Sequence, residues 1–293
     1  MYYVVYGFLY LISLLPLRVL YFISDGAYAL VFYVIKYRRD VVMNNLNIAF
    51  PEKSEEEKKK IAKQFYHNLM DTFIETIKMI SASNKFLDKH FTANYEAINA
   101  LHASGRPLQL HMGHNFNWEW GNPASCVHIR YSPFMGVYMP IGNKIFERLF
   151  LKIRERNGTK MLRATKMNED FLPYRNTQYL LGLVADQNPG VPANAWWFNF
   201  FGKPAPFVKG PAKNAIANNT HVVFAFIRKK KRGYYEGVFE PLNENIQEMT
   251  EAELTKKFVH YLEVVIRANP SMWLWSHRRW KWDWKEEYGP VLN

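Results

Sequence analysis

Residues 107–121 read Pro-Leu-Gln-Leu-His-Met-Gly-His-Asn-Phe-Asn-Trp-Glu-Trp-Gly, and the predicted fold is built outward from this stretch. The short apolar run 107–112 follows Gly105-Arg106 and predicts a buried strand. Two residues after it comes His114, and ligand groups gather at the carboxyl ends of strands in open α/β sheets. The stretch therefore predicts a strand that brings polar side chains to a cleft.

Similar strand patterns recur along the chain and alternate with helical ones. Further strands are predicted at 133–138, 179–185, 221–227 and 234–239, and helices at 95–104, 144–156, 209–218 and 250–268. This alternation predicts an α/β fold, a sheet layered by helices.

An earlier helix is predicted from the capping box that Ser54 forms with Glu57. One apolar stripe at four-residue spacing follows it: Ile61, Phe65, Leu69, Phe73 and Ile77.

The composition narrows the possible partners. The 293 residues could form one large domain or two small ones, and 48% of them are apolar, enough for a sizeable core. A formal charge of +12 favours an acidic partner: nucleic acid, anionic lipid headgroups or an acidic carrier protein. The single cysteine, Cys126, excludes an internal disulfide and a cysteine-rich zinc site.

The N-terminal residues are apolar enough to associate with a membrane. No charge occurs before Arg18, and the apolar character resumes at 27–35 before the basic run at 36–39. A spanning helix needs about 20 apolar residues, and the absence of a basic n-region and a cleavage site argues against a removed signal peptide. We expect residues 1–40 to anchor the chain, by spanning the membrane or lying in it, with the basic run facing cytoplasmic headgroups. The alternative is a buried amphipathic hairpin of a soluble protein.

His114 and Glu119 form the candidate catalytic pair. On one continuous helix they would lie about 140° apart, so they can meet only if His114 sits in the turn before the helix and Glu119 inside it. Glu119 would then accept a proton from one imidazole nitrogen, and the other nitrogen would deprotonate a substrate hydroxyl. A structural histidine is the alternative. His111 is the competing candidate for the base. The residue five positions after it is Phe116, so it has no carboxylate at the spacing of His114 and Glu119.

Common catalytic motifs are missing from the sequence: G-x-S-x-G, the Walker P-loop, H-E-x-x-H and G-x-G-x-x-G. Nearly the whole chain, however, resembles the late acyltransferases of lipid A biosynthesis (lauroyl and myristoyl transferases), within the glycerolipid or lysophospholipid acyltransferase superfamily. Five blocks carry the resemblance in the family's order: NLNIAFP at 45–51, HNFNWE at 114–119, ADQNPG at 185–190, FFGKPA at 200–205 and WSHRRWK at 275–281.

The resemblance implies a central mixed sheet layered by helices, with residues 41–293 as the acyltransferase domain behind N-terminal membrane-associating helices. It also implies direct transfer of an acyl chain from an acyl carrier protein or acyl-CoA thioester to a glycolipid hydroxyl. His114 would be the base and Glu119 its orienting partner. Arg154 and Arg156 would be the candidates for stabilising the oxyanion, or would be solvated helix charges.

Two more residues, Asp186 and Gln187, close a predicted strand and are expected to line the same cleft, unless their run is only a turn. Two departures from the family pattern stand out. Met139-Pro140 replaces an Arg-Pro pair that many members have, which puts a phosphate or headgroup contact in doubt. His111-Met-Gly resembles the start of the family's His-x-Gly-Asn-Trp-Glu, although the spacing to Glu119 favours His114.

The expected partners are the acyl carrier protein or acyl-CoA, an anionic lipid A-type acceptor and the inner membrane of a Gram-negative envelope, with the active site on the cytoplasmic side. Neither a metal nor a bound organic cofactor is expected. Another lipid acceptor (an aminolipid, phospholipid or pigment) would suit the same motifs. A non-catalytic lipid-binding protein and a nucleic-acid-binding protein are the alternatives of other classes.

Aromatic and basic residues also crowd the C-terminus. Nucleobases or a lipid headgroup boundary would suit this mixture, and without a nucleic-acid fold signature we favour the membrane and expect no nucleic acid. The five tryptophans are Trp273, Trp275, Trp280, Trp282 and Trp284. A second basic run, 228–232, is predicted as a solvated hairpin turn or a docking site for an acidic carrier.

Overall fold

The computed structural model describes residues 1–292, which form two β-sheets surrounded by helices. The strands in these residues are β1 (Phe91–Ala93), β2 (Leu108–Met112), β3 (Phe134–Tyr138), β4 (Lys160–Arg163), β5 (Leu180–Val184), β6 (Trp196–Phe200), β7 (Lys203–Phe207), β8 (His221–Lys231), β9 (Tyr234–Pro241) and β10 (Val291–Leu292).

The α-helices in the same residues are α1 (Tyr2–Leu14), α2 (Leu17–Ala29), α3 (Arg39–Ala49), α4 (Glu55–Lys78), α5 (Asn84–His90), α6 (Tyr95–Asn99), α7 (Trp118–His128), α8 (Lys144–Arg154), α9 (Met167–Phe171), α10 (Gly210–Ala217) and α11 (Glu251–Ala268). A π-helical segment, Leu30–Ile35, continues α2.

The central sheet has seven strands in the order β1-β9-β8-β2-β5-β3-β4. The β8–β9 pair is antiparallel and the other neighbours are parallel, so the predicted mixed α/β sheet is confirmed. All five predicted strands occur in it. The edge strands β1 and β4, at three and four residues, are too short to give a periodic signal, and sequence reasoning missed them. A small second sheet has the order β10-β6-β7.

Helices cover both faces of the central sheet, because alternate residues of a buried strand point to opposite faces. On one face, Leu108 and Leu110 of β2 pack in a cluster with Ile98 and Ile129, next to α6 and the end of α7. On the other face, the ring of His111 meets Phe258 of α11 edge to face. The strand β2 is therefore buried on both sides, as its apolar run predicts.

The predicted capping box at the start of α4 is confirmed: the Ser54 hydroxyl accepts from the Glu57 amide, and the Glu57 carboxylate accepts from the Ser54 amide. The predicted single stripe is wrong at Phe73, which is 54% exposed, whereas Phe65 and Leu69 are buried. Residues four apart advance about 40° around a helix at each step, so a four-residue repeat drifts off the buried face.

The two N-terminal helices pack along α4. The continuous segment Leu17–Ile35 is 19 residues long and, by length and composition, apolar enough to cross a membrane. Only 17% of the 18-residue window that meets this criterion is buried in the protein. The polar edge of this segment faces α4, where Ser24 donates to Asp71 at 2.8 Å and Tyr21 donates to Glu75 at 2.6 Å. The sides of α1 and of Leu17–Ile35 that face away from α4 expose large apolar side chains: Tyr3, Val4, Phe8, Leu11, Leu14, Phe22, Ile23, Leu30, Val34 and Ile35.

The C-terminal tryptophans belong mainly to the core. Trp273 and Trp275 are fully buried and Trp280 is 8% exposed, so the prediction of a lipid boundary is wrong for these three. Their rings pack with one another and with Phe200 because indoles supply large apolar surface.

The basic run 228–232 is not a solvated turn. Four of its residues extend β8, and only Arg232 lies in the turn itself. Lys229 and Arg232 pair with the buried Asp71, and Arg228 pairs with Glu236. The run therefore ties the hairpin to α4 and to its neighbouring strand.

Candidate active site

The site begins with the register between two neighbouring parallel strands. In β2 and β5, Met112 pairs with Val184. His114 and Asp186 each stand two residues beyond that pair, so both emerge at the same edge of the sheet. The imidazole Nδ1 of His114 lies 2.5 Å from Oδ1 of Asp186.

The Asp186 carboxylate is buried, with 1% of the residue exposed, and it collects three donors. Besides the imidazole, the His114 backbone amide donates to Oδ2 at 2.9 Å and the Trp273 indole donates to it at 2.6 Å. Burial opposes ionisation of this carboxyl, but the charge on His114 and these hydrogen bonds outweigh it, and its pKa falls to about 2.

Gly113 allows this close approach. A Cβ added at that position would lie 2.6 Å from Cδ1 of Leu262 and 3.2 Å from Oδ2 of Asp186. A larger residue would push the backbone of His114 away from the carboxylate. Sequence reasoning noted Gly113 only as part of the His111-Met-Gly run.

An ionised carboxylate can only accept hydrogen bonds, so Asp186 fixes the proton of His114 on Nδ1. In the neutral form of the ring the other nitrogen, Nε2, is then the basic one, and the Gln187 side-chain amide stands 3.3 Å from it. His114 and Gln187 both line a large cavity. The imidazole therefore presents a basic nitrogen to the space in which a substrate would lie.

Glu119 sits in the first turn of α7, and His114 lies in the loop before that helix, as predicted. The expected hydrogen bond between them is nonetheless replaced, because Asp186 faces one ring nitrogen and Gln187 the other. The Glu119 carboxylate instead accepts from Nε of Arg154 at 3.0 Å and from Nη2 at 2.5 Å. This two-point pairing holds the guanidinium in one orientation at the cavity wall.

Two other basic candidates lie elsewhere. Arg156 donates to the backbone carbonyls of Met79 and Ala82 at 2.7 and 2.6 Å and does not line the cavity. His111 is buried on the far face of the sheet, and burial lowers its pKa to about 4. The structure thus brings together His114, Glu119, Arg154, Asp186 and Gln187, and leaves out Arg156.

The cavity has a volume of about 970 Å³ and runs from this polar group into apolar surroundings. Two glycines in register, Gly136 of β3 and Gly182 of β5, form part of its floor. Because neither glycine has a side chain, nothing projects from this pair into the cavity above the sheet. Phe91, Leu110, Phe134 and Phe239 complete this apolar arm.

A family model described as bacterial lipid A biosynthesis acyltransferase matches residues 1–282. The chain belongs to this family. It is therefore an acyltransferase enzyme of lipid A and lipopolysaccharide biosynthesis. It is similar to the lipid A biosynthesis lauroyltransferase of Escherichia coli (strain K12), with 24% identity over 280 residues, which cover 94% of this chain and 89% of that protein.

For this lipid A acyltransferase, sequence reasoning named His114, Glu119, Arg154, Asp186 and Gln187 as site residues but expected different contacts between them. Asp186 was expected in the cleft, and its position beyond a strand in register with β2 could have indicated the bond to His114. Trp273 gave no such signal, because its indole reaches the site from the C-terminal segment. Among residues 1–292 no group of three or more His, Cys, Asp or Glu side chains could hold a metal. The expected independence from metals and cofactors stays a prediction.

Proposed function

We propose that the enzyme transfers a fatty acyl chain from an acyl carrier protein or acyl-CoA thioester to a hydroxyl of a lipid A-type glycolipid. The observation that carries this proposal is the imidazole of His114, anchored by Asp186 at Nδ1 and open to the cavity at Nε2. Such a base needs only a hydroxyl within hydrogen-bond reach to activate it.

In the proposed reaction the acceptor hydroxyl displaces the amide of Gln187 from Nε2 and gives its proton to that nitrogen. The oxygen attacks the thioester carbonyl, and the resulting oxyanion collapses with cleavage of the carbon–sulfur bond. The imidazolium returns its proton to the leaving thiolate. Asp186 stabilises the imidazolium while it exists, since a buried anion interacts strongly with a neighbouring cation.

Arg154 is our candidate for stabilising the oxyanion, and Glu119 is its positioning partner. A guanidinium held by two hydrogen bonds is preorganised, and preorganised charge costs no rearrangement when the oxyanion forms. Among residues 1–292 Nη1 of Arg154 has no acceptor, so its N–H groups can meet the developing charge in the cavity. Glu119 thus keeps a place in the proposed mechanism, acting through Arg154 instead of through His114.

The acyl chain would lie in the apolar arm over Gly136 and Gly182. Pockets for lipid-sized ligands are mostly apolar and carry few polar groups, which fits this arm. The thioester end would then stand near His114.

We further propose that the N-terminal helices lie in the inner membrane with the active site on its cytoplasmic side. The exposed apolar side of α1 and Leu17–Ile35 suits the acyl region of a bilayer, whereas their polar edge is fastened to α4. Lys36, Arg38 and Arg39 would meet anionic headgroups on the cytoplasmic leaflet. A lying position keeps the buried contacts of Tyr21 and Ser24 intact.

Mass spectrometry of lipid A from cells with and without the gene tests the proposed acceptor. We expect one acyl chain fewer on lipid A from the deletion, restored by the wild-type gene but not by a folded His114→Ala variant. An unchanged acyl count would refute a lipid A acceptor. A change in an aminolipid, phospholipid or pigment instead would keep the mechanism and replace the acceptor.

A further inference from the structure

A second cavity lies between the N-terminal helix α1, the end of α4 and the end of α8. Its volume is about 490 Å³. Lys152 and Arg156 line it from one side, and Tyr6 of α1 lines it from the other. Neither the acyltransferase mechanism nor the membrane attachment described above uses this cavity.

The charge of the cavity is uncompensated. In the part of the chain that the structure describes, neither Lys152 nor Arg156 forms an ion pair, and no carboxylate lines the cavity. The ammonium of Lys152 lies 4.0 Å from the centre of the Tyr6 ring. The Arg156 guanidinium is held at the cavity by the backbone carbonyls of Met79 and Ala82, at 2.7 and 2.6 Å. Among residues 1–292 no carboxylate balances these two cations, so the concave surface is suited to an anion.

Two amides complete the polar wall. Asn157 donates to the side-chain oxygen of Asn84 at 3.1 Å and to the Pro123 carbonyl. Among residues 1–292 the side-chain nitrogen of Asn84 has no acceptor of its own, so it is available as a donor. Ammonium, guanidinium and amide donors around one space are typical of phosphate recognition.

The position of the cavity indicates where such a phosphate comes from. Helix α1 contributes Tyr6 to the cavity and exposes Val4 and Leu11 to the outside. Arg148, one turn before Lys152 on α8, stacks on the Tyr2 ring at 4.1 Å. Cations and tyrosines therefore lie next to exposed apolar side chains on this side of the molecule, a mixture that suits a lipid headgroup boundary.

We propose that this cavity, the headgroup cavity, binds the phosphate of an anionic membrane phospholipid whose chains lie against α1. Lys152 and Arg156 are four residues apart and face the headgroup cavity, whereas Arg154 between them faces Glu119. The helix α8 therefore separates this lipid from His114, and the lipid acts as an anchor instead of a substrate. The inference rests on the membrane attachment proposed above.

Vesicle sedimentation of the full-length protein tests the headgroup cavity. The probes are vesicles of phosphatidylcholine alone and of phosphatidylcholine with about 30% phosphatidylglycerol. We expect Lys152→Ala to weaken binding to the anionic vesicles about fivefold and to leave binding to neutral vesicles unchanged. The matched control is Lys144→Ala, which removes the same charge from the exposed start of the same helix.

An uncharged variant separates a built site from general attraction. Asn84→Ala removes a donor without changing the charge, and we expect about threefold weaker binding to the anionic vesicles. Equal losses for Lys144→Ala and Lys152→Ala, or no loss for Asn84→Ala, would overturn the site while leaving the membrane attachment standing. Failure of the wild-type protein to sediment with either vesicle would overturn both proposals.

Discussion

Two buried carboxyls show how differently two regions of this enzyme treat the same chemical group. Asp186 stands where the carboxyl ends of β2 and β5 meet, here called the sheet edge. Glu75 stands where α2, α4 and α7 meet, here called the helix junction. The exposed fraction of each residue is 1% or less. Yet the pKa of Asp186 falls to about 2, whereas that of Glu75 rises to about 7.

The partners explain the difference. For both groups burial is the largest influence, and it favours the neutral form. Glu75 receives hydrogen bonds from neutral donors, the Tyr21 and Tyr235 hydroxyls and the Asn117 amide, at 2.6–2.7 Å. These do not offset burial. Asp186 has the imidazole of His114, whose charge helps to reverse the sign of the shift.

The pH dependence of stability therefore has opposite signs for the two carboxyls. A depressed pKa contributes stability above the ordinary value of 3.8, and Asp186 loses this contribution as pH falls toward 2. A raised pKa costs stability once the unfolded chain ionises, so Glu75 lowers stability as pH rises from 4.5 to about 7. The sheet edge is built to hold an anion, and the helix junction to hold a proton.

The largest effect is expected at the sheet edge. Asp186→Asn removes the anion that orients and stabilises the imidazole, so we expect the rate of acyl transfer to fall about 10³-fold. The measurement is kcat with an acyl thioester and the glycolipid acceptor. Asp170→Asn, which breaks a partly exposed pair with Arg163 outside the cavity lining, is the control and should leave kcat unchanged. A similar kcat for Asp186→Asn and wild type would show that the Asp186–His114 bond is structural.

The second effect concerns the guanidinium at the same edge. Arg154→Ala removes the proposed oxyanion partner, and we expect kcat to fall about 10²-fold with a smaller change in KM. Arg163→Ala serves as the matched control, because that arginine is also paired with a carboxylate but does not line the cavity. An equal fall in both variants would point to lost stability and would contradict the proposed role.

A third, smaller effect concerns the apolar arm of the cavity that His114 lines. Gly182→Val places two methyl groups over the floor of the cavity and shortens the space for the acyl chain. We expect kcat/KM for the longest acyl donors to fall about tenfold for each methylene that no longer fits. Competition between thioesters of different chain length measures it. Gly142→Val is the control, because a Cβ at that position meets open space. Unchanged chain preference in Gly182→Val would place the acyl chain elsewhere.

The smallest effect on activity is expected at the helix junction. Glu75→Gln keeps the shape of the neutral carboxyl, the form that about half of Glu75 takes near pH 7, so kcat should change less than about threefold. In the wild type we expect the free energy of unfolding to fall by about 3 kcal/mol as pH rises from 4.5 to about 7. In Glu75→Gln this fall should be absent. Denaturant unfolding at several pH values measures this. A wild-type curve that is already flat would contradict the raised pKa.

The sequence predicts much of this fold because its strands are buried on both faces and its helices carry capping boxes. The apolar runs of β2 and β5 and the box at Ser54 are local signals, and all three are confirmed. The helix predicted at 250–268 also begins with a capping box, between Thr250 and Glu253. Long-range pairing is not a local signal. The register of β2 with β5 decides which carboxylate meets His114, and sequence spacing pointed to Glu119 instead.

Burial of aromatic residues was also beyond local reasoning. Trp273 and Trp275 sit among cations in the sequence, which resembles a lipid boundary, but in the fold they close the core behind Asp186. The basic run 228–232 misled in the same way, since its carboxylate partner Asp71 is more than 150 residues away along the chain. Charge patterns predict partners only when the complementary charge lies nearby.

The bond from Tyr21 to Glu75 has a practical consequence for handling this enzyme. Removing the apolar N-terminus to gain solubility would expose Glu75 and Asp71 to water and leave Arg232 without Asp25. The same carboxyl of Glu75 also holds Asn117, the residue that caps the helix carrying Glu119. A shortened protein would thus be altered at the start of the helix that carries Glu119, and we expect purification in detergent with all N-terminal residues present to preserve that region.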